Sequence, residues 1–152
     1  MLLWEKRNGP GKIFMKDRYF IDTNILVYAN DKSEKDKYNK AKKLLLNGII
    51  NENIAVSAQV LSEFYVTVTQ KIKKTLPADI AKKEIQLFKA VDIIDIDFHL
   101  IIKAINISHK HSLSYWDSLI VAAAQKAKCN ILYTEDMNPD QTIDSVTIKN
   151  PL

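Results

Sequence analysis

The chain has 152 residues, 47% apolar and 26% charged, which fits one soluble globular domain and excludes a disordered chain, a collagen or a coiled coil. Its longest strongly apolar run, 119–124, is much shorter than a membrane span, so no membrane partner is expected. The lone Cys129 excludes an internal disulfide, so a reducing cytoplasm is expected. The net charge of +4 is unevenly distributed, since residues 130–152 carry −3 and residues 1–129 carry +7. The basic part suits a polyanionic partner or is simply a lysine-rich solvated surface.

Residues 1–14 are predicted to form a flexible leader, because two of the three glycines, Gly9 and Gly11, stand there together with Pro10. Met15 comes shortly before the first predicted strand. Either Met15 is the natural start, or residues 1–14 are a dispensable extension. Residues 15–152 are predicted to form a single domain.

Strand and helix patterns alternate after this leader. The predicted strands are 18–22, 54–57, 91–96, 130–134 and 145–148. The predicted helices are 32–47, 58–73, 77–90, 98–111 and 115–127. Strands separated by helices indicate parallel crossover connections. The chain is therefore predicted to be an α/β domain with a mostly parallel five-stranded sheet that helices cover on both faces.

Helical periodicity predicts which faces of two helices are packed. In helix 98–111, Phe98, Ile102, Ile105 and His109 share one apolar face, so His109 is predicted to be packed in the core or at its edge. In helix 58–73, Glu63 lies on the side away from the apolar face. That position alone favours a solvated glutamate.

Four carboxylates fall at the carboxyl ends of the predicted strands, the edge where ligands bind in open parallel sheets. Asp22 ends the first strand, and Glu63 lies in the second turn of the helix after the second strand. Asp117 lies in the first turn of the alanine-rich helix, and Asp136 follows the fourth strand. We expect these four side chains to converge. Each also has an ordinary explanation: a helix cap or turn for Asp22, a capping box for Asp117, and solvent exposure for the other two.

Four converging carboxylates repel one another unless a cation neutralises them. Oxygen ligands suit Mg²⁺ or Mn²⁺, and one or two such ions can bind a phosphodiester and activate a water molecule for attack. A basic surface around an acidic metal-binding centre is thus a coherent layout for a nuclease. Lys71, Lys73 and Lys74 follow the Glu63 helix and either steer RNA toward this centre or simply end the helix.

Four short segments occur in a characteristic order: 20–24 (FIDTN), 62–64 (SEF), 115–120 (YWDSLI) and 132–138 (LYTEDMN). Together with the ending 146–152 (VTIKNPL), this ordered set closely resembles the PIN-domain family, specifically the VapC-type toxins of bacterial toxin–antitoxin pairs. The resemblance covers residues 19–152. It implies a three-layer α/β/α sandwich around a parallel sheet.

The resemblance also implies a function: a Mg²⁺- or Mn²⁺-dependent endoribonuclease that cleaves structured RNA such as tRNA or rRNA. Such a protein is the toxin of a type II pair, forms a homodimer and is silenced by a cognate antitoxin. By the same resemblance, Asp22 and Asp117 are core metal ligands, and Glu63 and Asp136 complete the catalytic site. The neighbouring polar residues that match positions able to orient these ligands are Thr23, Asn24 and Thr134.

Two other function classes stay open. One is a non-catalytic RNA-binding or scaffolding domain on the same fold, against which the complete set of carboxylates argues, because a binder would gain from losing them. The other is an Asp-based phosphatase. Haloacid-dehalogenase-like phosphatases need a second aspartate two residues after the first, and this chain has Asn24 there.

Overall fold

The computed structural model describes residues 16–152, so the predicted leader, residues 1–14, lies outside the described residues. The strands are β1 (Tyr19–Ile21), β2 (Ile54–Ser57), β3 (Asp92–Ile94), β4 (Ile131–Tyr133), β5 (Thr142–Ile143) and β6 (Val146–Lys149). The helices are α1 (Thr23–Tyr28), α2 (Lys35–Ile50), α3 (Ala58–Gln70), α4 (Ala78–Gln86), α5 (Phe98–His111) and α6 (Tyr115–Lys126), and a short 3₁₀ turn covers Leu87–Ala90.

One sheet contains all of these strands in the order β3-β2-β1-β4-β6-β5. Every neighbouring pair is parallel except β5 and β6, which form an antiparallel hairpin at one edge. The prediction of five strands is therefore wrong by one. The additional strand, β5, has only two residues, too few to give an alternating pattern that sequence reading can detect.

Helices cover both faces of the sheet, which confirms the α/β/α architecture. All four residues of β2 are buried, and so are Phe20 and Ile21 of β1. Because successive strand residues point to opposite faces, burial of consecutive residues requires a layer on each side. Helix α6 contacts β2, β4 and β6 and packs against α5, while α2 and α3 contact β2.

Helix α5 packs through a different face from the predicted one. Its buried residues are Leu100, Ala104 and Ile107, whereas Phe98 is 71% exposed and His109 is exposed. The prediction that His109 lies in or beside the core is therefore wrong. Both of these helix faces carry apolar residues. The buried face contains the small Ala104, which suits close packing against α6. Within residues 16–152, no helix has the length and apolar character needed to traverse a bilayer.

Candidate active site

The carboxyl ends of β1, β2 and β4 lie side by side, because these three strands are neighbours and parallel. Asp22 directly follows β1, Asp136 lies just beyond β4, and Glu63 is in the second turn of α3 after β2. Only residues 127–130 connect α6 to the start of β4, so the first turn of α6, with Asp117, lies toward the same edge. The topology thus places the four predicted carboxylates at one end of the sheet.

Asp22 is both a helix cap and a buried acid, and it is only 8% exposed. Its Oδ1 accepts a hydrogen bond from the backbone N–H of Thr23 at 2.7 Å, which caps α1. Its Oδ2 accepts one from Oγ1 of Thr134 at 2.8 Å. Burial raises the pKa of Asp22 to about 6; these two hydrogen bonds oppose the rise, and the charges of Asp136 and Glu63 add to it.

Thr134 has a fully determined hydrogen-bonding state. The residue is completely buried, and its Oγ1 accepts from Nδ2 of Asn24 at 3.0 Å and from the backbone N–H of Asp136 at 3.1 Å. A hydroxyl has two lone pairs and one proton. With both lone pairs occupied, the proton is directed to Asp22, so this hydroxyl fixes the orientation of the buried carboxylate.

Asn24 connects α1 to the segment after β4. Its Nδ2 donates to Oδ2 of Asp136 at 2.9 Å as well as to Thr134, and its Oδ1 accepts from the backbone N–H of Glu135 at 3.2 Å. A single side-chain amide therefore holds Asp136 in place relative to α1.

Glu63 lies on the exposed side of α3, as helical periodicity predicted, yet both of its oxygens are held. Oε2 accepts from Oγ1 of Thr23 at 2.8 Å, and Oε1 accepts from Nε2 of Gln59 at 3.0 Å. Each of the three polar residues predicted to orient the carboxylates thus contacts at least one of them. Gln59 is a further contact that the sequence did not single out.

Asp117 does not join this network. Its backbone N–H donates to Oγ of Ser114 at 3.1 Å, which caps α6, and its side chain is half-buried. Within residues 16–152, no three His, Cys, Asp or Glu side chains are arranged so that they could hold a metal ion as they stand. The hydrogen-bond network links Asp22, Glu63 and Asp136 and leaves Asp117 outside.

Glu63 and Asp136 both line a cleft of about 800 Å³ that runs between α1, α3 and the segment after β4. Thr23 and Asn24 line it near the carboxylates, and Lys71 lines it at the end of α3. Lys71, one of the three lysines predicted either to steer RNA or to end a helix, is the C-cap residue of α3 and also lines this cleft.

The sequence matches the model of one protein family, described as the PIN domain, over residues 19–142. The chain belongs to the PIN-domain family. No curated protein has a significantly similar sequence.

Several solved structures resemble this PIN domain. VapBC2 from Rickettsia felis, bound to a promoter DNA fragment, has 23% identity and a TM-score of 0.61 over 87% of this chain and 97% of that chain. VapC20 from Mycobacterium tuberculosis, a toxin that cleaves the sarcin–ricin loop, has 19% identity and a TM-score of 0.62 over 78% and 89%. A toxin–antitoxin complex from Klebsiella pneumoniae has 19% identity and a TM-score of 0.63 over 88% and 98%. At these identities the likeness establishes a shared fold.

A fifth carboxylate, that of Glu135, lies beside the site but is bound by other residues. Oε1 of Glu135 accepts from the Tyr28 hydroxyl at 2.6 Å, and Oε2 accepts from Nζ of Lys37 at 2.9 Å. Burial acts to raise the pKa of Glu135, but these two hydrogen bonds outweigh it and hold the pKa below its ordinary value. The charge of Glu135 is thus balanced by Lys37. Nothing in the spacing of these three residues indicates that they meet.

The carboxylates have the chemistry to hold a divalent cation. Their ligand atoms are all oxygens, which Mg²⁺ and Mn²⁺ prefer. Each Glu63 oxygen accepts a single protein hydrogen bond, and an ionised carboxylate has about four acceptor positions, so capacity for an ion is left. The charges of Asp136 and Glu63 also raise the pKa of Asp22, a repulsion that a bound cation would relieve. The donor atoms of these residues therefore suit such an ion chemically, although within residues 16–152 the side chains are not yet arranged to hold one.

Proposed function

We propose that this PIN domain is a Mg²⁺- or Mn²⁺-dependent endoribonuclease, and that it is the toxin of a type II toxin–antitoxin pair acting on structured RNA such as tRNA or rRNA. The observation that carries the proposal is the hydrogen-bonded set of Asp22, Glu63 and Asp136 at the carboxyl edge of a PIN-domain sheet. The toxin that cleaves the sarcin–ricin loop, which shares this fold, supports the substrate class.

Asp22, Glu63, Asp117 and Asp136 are the residues proposed to hold the cation. When bound, such an ion neutralises phosphate charge and lowers the pKa of a coordinated water molecule. The protein's own contribution is orientation. The Thr134 hydroxyl and the Thr23 N–H hold Asp22. The Asn24 amide holds Asp136, and the Thr23 hydroxyl holds Glu63.

The cleft offers a path for RNA. Lys71 lines it together with Glu63 and Asp136, and Lys73 and Lys74 follow directly and are exposed. A phosphate backbone bound by these lysines would lie across the carboxylates. Because such contacts release counterions, RNA affinity should depend on salt concentration.

The cognate antitoxin is proposed to occupy an apolar groove of about 380 Å³ between α1, α2 and the end of α4. Leu46 is 51% exposed there and Leu87 is 57% exposed, while Lys32 and Lys42 also line it. An amphipathic antitoxin segment with acidic residues beside its apolar face would match both features. The toxin–antitoxin complex from Klebsiella pneumoniae, which shares this fold, supports a protein partner of this class.

The homodimer is proposed to form through the outward face of α5. Phe98, Ile102 and Ile105 are large apolar residues, at helical spacing on one side of α5, that stay exposed in the single chain. Contiguous exposed apolar surface of this kind is typical of protein contacts. A cytoplasmic location is part of the same proposal.

One observation favours a non-catalytic RNA-binding or scaffolding role as the second candidate. In the described part of the chain, Asp117 stays outside the carboxylate network, and no three acidic side chains are placed to hold an ion as they stand. An Asp-based phosphatase is less well supported, because haloacid-dehalogenase-like enzymes need a second aspartate where this chain has Asn24.

The proposed function is tested by incubating the metal-free protein with total cellular RNA and sequencing the new ends. We expect discrete cleavage when Mg²⁺ or Mn²⁺ is added, none in EDTA, and recovery when the cation is restored. RNA that is bound but left intact with either cation would instead support the binding role. Cleavage that continues unchanged in EDTA would contradict a metal-dependent enzyme.

A further inference from the structure

Gln59 is a buried polar residue in the first turn of α3, where it is 8% exposed. Its Nε2 donates to Oε1 of Glu63, one helical turn further along, at 3.0 Å. Its own Oε1 is buried and has no hydrogen-bond partner among residues 16–152. Gln59 therefore holds a proposed cation ligand while one of its own polar atoms is left unsatisfied.

The unsatisfied atom does not result from the way the Gln59 amide is turned. A carboxylate can only accept hydrogen bonds, so the amide atom that faces Glu63 must be the nitrogen. Turning the amide over would bring two oxygens together and would leave the nitrogen without an acceptor. In either orientation, one polar atom of Gln59 has no hydrogen-bond partner among the described residues.

A buried acceptor without a partner lowers the stability of the folded state. An unbranched apolar side chain of similar length, such as methionine, would fill the same space without that cost. Exceptions to the rule that buried polar atoms have hydrogen-bond partners are expected at functional sites. The feature that explains a glutamine here is its contact with Glu63. Within the described part of the chain, the exposed Glu63 side chain has just one other hydrogen-bond partner, Thr23.

We infer that Gln59 is a positioning residue, retained at a cost in stability, whose amide nitrogen fixes the Glu63 carboxylate for cation binding. This inference rests on the proposed function. Residues that hold the ligands of a metal ion typically change its affinity about 10–100-fold when they are replaced. Replacing Gln59 should therefore weaken cation binding while the fold stays intact.

The test compares Gln59→Met with Gln70→Met in the full chain, because Gln70 ends the same helix and is exposed. Mn²⁺ affinity is measured by calorimetric titration of the metal-free proteins, and Tm is measured without metal. For Gln59→Met we expect a Kd for Mn²⁺ raised about 10–100-fold and a Tm equal to or above that of the wild type. For Gln70→Met we expect both values unchanged.

Two results for Gln59→Met would overturn the inference. A Kd within about two-fold of the wild type would show that Gln59 does not position Glu63 for the ion. A Tm several degrees below the wild type would make Gln59 a structural residue instead. A wild-type protein that binds no Mn²⁺ would overturn the proposed function itself, and the inference with it, so the two failures are distinguishable.

Discussion

The Asp22→Asn variant is expected to lose RNA cleavage by more than about 100-fold, since even a residue that only supports a metal ligand contributes about 10–100-fold. Asparagine keeps the shape of the side chain, and its oxygen can still cap α1. It removes the negative charge and puts an N–H group where the Thr134 hydroxyl donates. The measurement is the rate of cleavage of the identified RNA target at saturating Mg²⁺, together with growth inhibition on expression in cells.

Asp144→Asn is the matched control for this loss. Asp144 lies in the hairpin between β5 and β6, and its φ of 52° is a conformation that asparagine also adopts readily. Because β6 runs parallel to β4, this hairpin precedes β6 at the opposite end of the sheet from the site. We expect wild-type cleavage from this variant. Cleavage and growth inhibition that persist in Asp22→Asn would refute a catalytic role for the carboxylates.

In the metal-free protein, the contribution of Asp22 to the free energy of unfolding is expected to fall as the pH rises from about 4 to about 6. The pKa of Asp22 is about 6 in the folded chain, mainly because of burial, against an ordinary value of 3.8. Between these pH values the folded state binds the extra proton, so raising the pH favours unfolding. The difference between the two pKa values corresponds to about 3 kcal/mol in the free energy of unfolding. This stabilisation is fully present below the lower pKa and is lost above the higher one.

Denaturant unfolding of the wild type and Asp22→Asn at several pH values isolates this contribution. Asparagine does not titrate, so the stability of Asp22→Asn relative to the wild type should rise by about 3 kcal/mol between pH 3.5 and 7. Asp144→Asn should show the opposite sign, because the hydrogen bond from Lys110 holds the pKa of Asp144 below its ordinary value. A difference between Asp22→Asn and wild type that does not change with pH would contradict a raised pKa at Asp22.

The positions of the site residues could be predicted from the sequence because they depend on topology. Parallel strands separated by helices bring every strand end to one edge, so a residue such as Asp22 is placed once its strand is recognised. The polar residues directly after β1 and β4, such as Asn24 and Thr134, are implied by the resemblance to the PIN-domain family. Their hydrogen bonds to the carboxylates required only that the two strands be neighbours, as they are.

Contacts between distant segments could not be predicted in this way. Lys37 and Glu135 meet because α2 crosses beside the end of β4, and no periodicity records that crossing. The side-chain oxygen of Gln59 has no hydrogen-bond partner within residues 16–152, a feature that only the packed structure shows. Helix α5 carries apolar residues on two sides, so periodicity alone could not decide whether Leu100 or Phe98 would be buried.

Calorimetric titration of Mn²⁺ into the metal-free full chain tests most directly whether the acidic side chains jointly bind a cation. Asp117 is the informative position, since the network of Asp22, Glu63 and Asp136 forms without it. The wild type and Asp144→Asn are expected to bind Mn²⁺ alike, while Asp22→Asn and Asp117→Asn should each lose most of the affinity. No Mn²⁺ uptake by the wild type, or undiminished uptake by both site variants, would contradict a shared cation site.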